Sequence, residues 1–244
     1  MKFALIRVIF LIPIFLPVVA KTQSNADDSS AYQTAVANTI SIYYNQLGDQ
    51  SGLYNGRLYA RYDFPFAVGS PYFLSSDFND GSIIYSGVLY THVPILFDEL
   101  REQVVTRDHG YGLQLVNERI SEFSLLGHRI IRVVGDSLNE NSLATGFYDL
   151  LYSGKSSVLR KSRENMQEKL TNTEILRIIV THEDYLIRIG VNYQKVNSKR
   201  ELLDIMSDHR KQIQQFIKKN RLHYRRDAAN TLIKTAAFYD QLSK

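Results

Sequence analysis

Gly81-Ser82-Ile83-Ile84-Tyr85-Ser86-Gly87-Val88-Leu89-Tyr90-Thr91 is the stretch whose reading decides the fold. Two runs of β-branched, apolar and aromatic residues flank Ser86-Gly87. A two-residue connection with Gly signals a hairpin, because tight primed turns demand positive φ. The pattern then repeats. Val93 to Asp98 is another run, in which Pro94 suits a strand end or an edge because it cannot donate to a ladder. Gln103 to Thr106 follows, then turn chemistry at Asp108-His109-Gly110, then Leu113 to Val116. In Glu122-Phe123-Ser124-Leu125 polar and apolar residues alternate, which directs Phe123 and Leu125 to a core and Glu122 and Ser124 to water. Gly127 turns the chain into His128 to Val134. Connections of two to five residues favour antiparallel neighbours, since a parallel pair needs a long crossover. The centre therefore reads as a β-meander and not as a βαβ protein.

Outward from this centre, Arg57 to Tyr62 is a first strand, and Gly135 to Thr145 is a polar loop. Phe147 to Tyr152 and Ser156 to Arg163 form a hairpin around Ser153-Gly154. Gln167 to Thr173 reads as a polar connection. Ile175 to Thr181 and Tyr185 to Ile189 read as a further hairpin with His182-Glu183-Asp184 at its turn, and the last strand lies near Tyr193 to Val196. The expected fold is mainly β (α+β): an antiparallel β-meander of roughly ten strands, closed as a barrel or arranged as a sandwich or curled sheet. It carries an N-terminal helix and a C-terminal helical segment.

Four regions follow from composition. Residues 1–20 carry Lys2 and Arg7, an apolar run from Val8 to Val19 and a small-residue end at Val18-Val19-Ala20, which is the pattern of a secretory signal peptide. Pro13 and Pro17 interrupt the run, which is shorter than the ~20 residues that span a bilayer. Residues 21–53 are a polar lead-in followed by an amphipathic helix, with Ala35, Val36, Thr39, Ile40, Tyr43 and Leu47 at helical spacing before Gly48. Residues 54–196 are the β domain. Residues 197–244 are a basic helical segment. The chain has no Cys, so thiol catalysis, iron–sulfur clusters and cysteine-based zinc sites are excluded.

In the helical segment, Ser198 with Glu201 forms a capping box that starts a helix at Lys199. Ser207-Asp208 starts a second, with Ile213, Phe216 and Ile217 on one stripe and a stop at Asn220. Arg226-Asp227 starts a third, carrying Leu232, Ile233, Ala236, Tyr239 and Leu242. Residues 197–244 hold eleven Lys/Arg against five Asp/Glu, while residues 21–196 sum to about −4. Such segregation suits docking to something acidic, whether lipid headgroups, phosphates or an acidic protein. No nucleic-acid motif is present.

Several motifs invite a chemical reading and lack its remaining parts. Gly135-Asp136-Ser137-Leu138 resembles the nucleophile block of the GDSL lipases and esterases, but the D-x-x-H segment that supplies their base does not occur in the chain. Gly154-Lys155-Ser156 resembles the end of a phosphate-binding loop, yet Asp149 stands where that loop begins with Gly. His92, His109, His128, His182, His209 and His223 form no H-x-x-x-H or H-E-x-x-H pattern. Tyr62, Phe64, Phe66, Tyr72, Phe73 and Phe78 crowd a loop that either packs over the open end of the sheet or presents an aromatic ligand surface. Strands this short do not suit an outer-membrane barrel, which needs ~9–11 residues per strand.

Leu53-Tyr54-Asn55-Gly56-Arg57, Gly69-Ser70-Pro71-Tyr72-Phe73-Leu74 and Gly81 to Tyr90, with Gly146 to Lys155 and Asn197-Ser198-Lys199-Arg200, together resemble a family of exported Bacteroidota proteins. The resemblance implies an exported protein and supplies no site residue. The sequence reading is thus an exported cell-envelope protein, periplasmic or surface-exposed, acting as a non-catalytic binding or accessory module. It names no catalytic residue, metal ligand or cofactor, and its expected partner is an envelope protein or acidic envelope surface met through residues 197–244. The alternative is a hydrolase assembled from scattered groups such as Ser137, His182 and Asp184.

Overall fold

The structure is a computed structural model that describes residues 52–135, 143–190 and 192–242. The signal segment expected at residues 1–20, the helix expected at residues 32–47 and Ser137 lie outside the described residues. Eleven antiparallel strands form one sheet in the order β1-β5-β4-β3-β2-β6-β7-β8-β9-β10-β11, and its two edge strands do not pair with each other. The strands are β1 (Arg57–Leu58), β2 (Asn79–Tyr85), β3 (Val88–Asp98), β4 (Gln103–Asp108), β5 (Tyr111–Gln114), β6 (Ile120–Leu125), β7 (His128–Val133), β8 (Gly146–Ser153), β9 (Ser157–Leu170), β10 (Ile175–Ile189) and β11 (Asn192–Val196). Three helices follow: α1 (Lys199–Ile205), α2 (Arg210–Lys219) and α3 (Ala228–Leu242). No helix among the described residues is long and apolar enough to cross a membrane.

Turn chemistry sets the first half. Ser86 and Gly87 have φ of 52° and 79°, His109 and Gly110 of 44° and 89°, and Leu126 and Gly127 of 51° and 80°. Two successive positive-φ residues give the twist that joins right-twisted strands. Pro94 lies inside β3, just past a bulge at His92, where β2 is already paired and β4 pairing has not begun. The alternation expected in β6 holds, with Phe123 and Leu125 buried.

Four expectations are corrected. The meander is interrupted between β5 and β6, because β6 pairs with β2 on the side away from β3. The short link is pinned by Leu115 N to the Val104 carbonyl (2.9 Å) and by Ser86 N to the Arg119 carbonyl (2.7 Å). His182-Glu183-Asp184 is not a turn: β10 runs through it, and the three residues pair with Arg163, Ser162 and Lys161. Gln167 to Leu170 belongs to β9, and the true turn is Thr171 to Glu174, where Thr171 N donates to the Glu174 carbonyl at 2.9 Å. The strand expected from Arg57 to Tyr62 shortens to Arg57–Leu58.

The loop before β2 works as a strap. Ala67 N donates to the Arg177 carbonyl and Ile179 N to the Val68 carbonyl, at 2.7 and 2.9 Å, while Phe73 N donates to the Phe97 carbonyl at 2.9 Å. Residues 67–73 thus bond backbone to backbone with both β10 and β3. Beneath lies one core, built from Phe73, Ile83, Phe97, Phe123, Ile130, Phe147 and their neighbours. A second core joins Val158, Ile187 and Val196 of the sheet to Leu202, Met206, Ile213, Ile217, Leu232 and Ala236 of the helical segment. Leu159 and Leu186 turn to the opposite face and pack with Tyr148. The middle of β9 is therefore buried on both sides, with Val158 and Leu159 each 0% exposed.

Candidate functional site

Two polar arrangements stand out, one buried and one open. The buried one is a seam between the two cores. Asp149 and Arg160 are directly opposed on β8 and β9, and Arg160 is opposed to Tyr185 on β10. Asp149 Oδ2 bonds His128 Nδ1 and accepts from Arg160 Nη2, each at 2.8 Å. Arg160 Nη1 donates to Glu183 at 3.2 Å, and Tyr185 Oη donates to Glu183 at 2.6 Å. Burial, then the Glu183 carboxylate, push the Tyr185 hydroxyl upward. Glu99 faces the same region, and burial with the nearby Glu164 charge pushes its carboxyl up to about 7, against a hydrogen bond from Ser162. A cavity of about 20 Å³ between Phe73, Glu99, Asp149 and Arg160 is the size of one water.

The His128–Asp149 pair has the last two parts of a nucleophile–His–carboxylate relay. Its carboxylate oxygen is shared with Arg160, and the imidazole meets Phe73 edge-on at 5.2 Å between centroids. No hydroxyl among the described residues is hydrogen-bonded to His128. A one-water cavity cannot admit a substrate beside it. The seam instead pairs its charges with one another, as burial requires, although Arg160 Nε stays buried without a hydrogen-bond partner. Sequence reasoning missed it because Asp149, Arg160 and Glu183 stand 11 to 34 positions apart and meet only through strand register.

His182 and Asp184 lie mid-strand on β10, with His182 exposed. Asp184 is held by Arg163 and by Lys195 Nζ at 2.7 Å, so its carboxylate is committed to cations. His92 and His109 sit beside Asp80 and Asp108 at a bulge and a turn, and His209 bonds Gln212. Among the described residues no group of three or more His, Asp or Glu is arranged to hold a metal. The Ser153–Ser156 turn, read from sequence as the remnant of a phosphate loop, already faces a carboxylate: Ser156 N donates to Asp240 of α3 at 3.0 and 3.1 Å.

In the aromatic loop several rings carry a guanidinium over one face. Arg177 lies 4.0 Å over Phe64, Arg101 3.9 Å over Tyr62 and Arg107 4.5 Å over Phe78. Asp98, fully buried, accepts from Tyr59 Oη at 2.7 Å, from Tyr62 Oη at 3.0 Å and from Arg101 N at 2.9 Å. Burial, then the bond to Asp98, raise the Tyr59 hydroxyl. These rings pack against arginines and against one another, with Tyr62 meeting Phe66 edge-on at 5.1 Å between centroids.

The open arrangement lies in the helical segment. Ser198 caps α1 by accepting from Glu201 N at 3.2 Å, and Glu201 Oε2 accepts from Asn197 N at 2.7 Å. That backbone bond leads the causes holding the Glu201 carboxyl below its ordinary range. Tyr224 Oη donates to the Val196 carbonyl at 2.5 Å, which ties the α2–α3 link to the end of β11. Burial pushes this hydroxyl up to about 12. Between residues 197–200 and 222–226 opens a groove of about 600 Å³ lined by Lys199, Arg200, His223, Arg225 and Arg226, with no acidic residue in its lining. The composition of residues 197–244 shows the basic excess; the convergence of two cation pairs needs the fold. Comparison with protein-family models, with curated proteins and with solved structures gives no match.

Proposed function

We propose that the chain is an exported, non-catalytic binding or accessory module of the cell envelope that docks through its basic helical segment on an acidic partner. The observation that carries this reading is the exposure of Lys199, Arg200, Lys211, Lys218, Lys219, Arg221, Arg225 and Arg226 on one segment, four of them around a single open groove. The signal pattern at residues 1–20 and the resemblance to exported Bacteroidota proteins support the compartment. A surface of this charge raises the local concentration of acidic partners and the rate of encounter, and both fall with salt.

Deleting residues 197–244 would strip the second core, because nine of its twelve buried side chains come from that segment. Charge reversal at exposed positions leaves the core alone. Tagged full-length chain would be fractionated with its native envelope in two variants, one reversing Lys211, Lys218, Lys219 and Arg221, the other Lys199, Arg200, Arg225 and Arg226. Release of at least one variant from the envelope is expected. If both stay bound like the wild type, with circular dichroism unchanged, the docking reading is wrong.

A further inference from the structure

We propose that the groove between residues 197–200 and 222–226 binds a sugar-sized anion carrying two phosphate groups, one against each wall. This rests on the docking reading and names the chemistry of its acidic partner. Each wall carries adjacent cations, Lys199-Arg200 on one and Arg225-Arg226 on the other, and His223 adds a polar ring beside the second pair. Arginine presents a rigid fork of donors that matches phosphate oxygens two at a time, and lysine adds a point charge.

Two of the neighbouring carboxylates are committed elsewhere, and the third, Asp204, is shared between Arg210 and the groove's own Arg200. Glu201 is held on the backbone and side-chain amides of Asn197, at 2.7 and 3.1 Å. Asp227 caps α3 through Asn230 N at 3.0 Å. Asp204 draws Arg210 and stands 3.9 Å from Arg200. Like charges gathered in one groove repel, so an anion that bridges them relieves a standing cost.

Size argues for two phosphates and a spacer. A groove of about 600 Å³ falls in the range of small-molecule sites, roughly 300–1,000 Å³, and is far larger than one phosphate. Leu222 and Tyr224 give it an apolar floor suited to the spacer. The backbone of the 222–226 wall is fixed before any ligand arrives: Tyr224 bonds Val196, and Leu222 N donates to the Ile217 carbonyl at 3.0 Å. A fixed backbone confines the ordering cost of binding to the exposed side chains.

The test is calorimetric titration of the full chain with fructose 1,6-bisphosphate and, separately, with fructose 6-phosphate at about 0.15 M salt, where exposed charges are well screened. The bisphosphate should bind at least about tenfold more tightly. The Arg225→Ala/Arg226→Ala variant should lose about tenfold or more, while Lys218→Ala/Lys219→Ala, with the same charge change on α2, should bind as the wild type does. Flotation with phosphatidylcholine vesicles, with and without cardiolipin, separates the sources. Capture by cardiolipin vesicles would assign a lipid headgroup, and soluble binding alone would assign a free sugar phosphate. Absence of binding in both arms, equal affinity for the monophosphate, or equal weakening by the α2 variant would overturn the proposal. If the groove fails while reversal of the α2 cations still releases the chain from the envelope, the docking reading survives without it.

Discussion

Glu99 shows how the placement of one side chain becomes a dependence on pH. Burial and the Glu164 charge raise its carboxyl from 4.5 to about 7. The folded chain therefore holds a proton that the unfolded chain releases near pH 4.5, so stability falls as pH rises from about 4.5 to about 7 and stays reduced above it. Glu99→Gln keeps an acceptor for Ser162 and removes the titration. It should raise the urea midpoint at pH 8, by on the order of 1–2 kcal/mol after discounting for partial exposure, and change little near pH 4. Identical midpoints for the two proteins at pH 8 would show that Glu99 carries no such strain. Gly81 makes a different point at the same scale. A Cβ there would stand 2.3 Å from the Ser124 carbonyl oxygen, so the β2–β6 contact requires glycine whatever its φ.

At the scale of elements, α3 is locked to the β8–β9 hairpin by one carboxylate. Asp240 accepts from Ser156 N and from Tyr152 Oη, the latter at 3.0 Å. Asp240→Ala leaves that amide without its charged partner and should cost about 2 kcal/mol, and Tyr152→Phe about 1 kcal/mol. Measured by urea unfolding, the double variant should cost less than the sum, because the two changes remove shared bonds. Strict additivity would mean that Tyr152 and Asp240 act separately. The hairpin itself was legible in the sequence at Ser153-Gly154, as were the turns at Ser86-Gly87 and Gly127 and the α1 cap, because each depends on residues within four positions. The length of β9 and β10 was not. Beyond Lys161 β9 is largely exposed, so charged residues replace the apolar alternation that marks a strand, and in β10 the polar run His182-Glu183-Asp184 interrupts it. Charged residues pair across the two strands instead, as Arg177 Nε does with Glu168 Oε1 at 2.9 Å. The Thr171–Glu174 turn could have been found: Thr171 Oγ1 accepts from Glu174 N at 3.0 Å, a side-chain turn that Ser and Thr are known to make. The seam and the groove stayed hidden because each joins residues whose proximity is created by register or by helix packing.

Across the whole molecule, the same segment carries the basic surface and completes a core. Val158, Ile187 and Val196 are each at most 1% exposed under the helices. A chain ending at Val196 should therefore aggregate or show loosened β9–β11 amides in hydrogen exchange, while the core around Phe97 and Phe123 keeps its protection. Retention of full protection in all strands would mean that the helices are an appendage. The strap at residues 67–73 ties β3 to β10, positions separated by about eighty residues of chain, and the helical core waits on residues up to Tyr239. A chain made from its N-terminus thus delivers its sheet first and its closing helix last. Until the final turns of α3 emerge, the turn at Ser156 has no carboxylate and the far side of β9 has no cover. Timing of release, and not only sequence, then decides when the protein becomes safe from its neighbours.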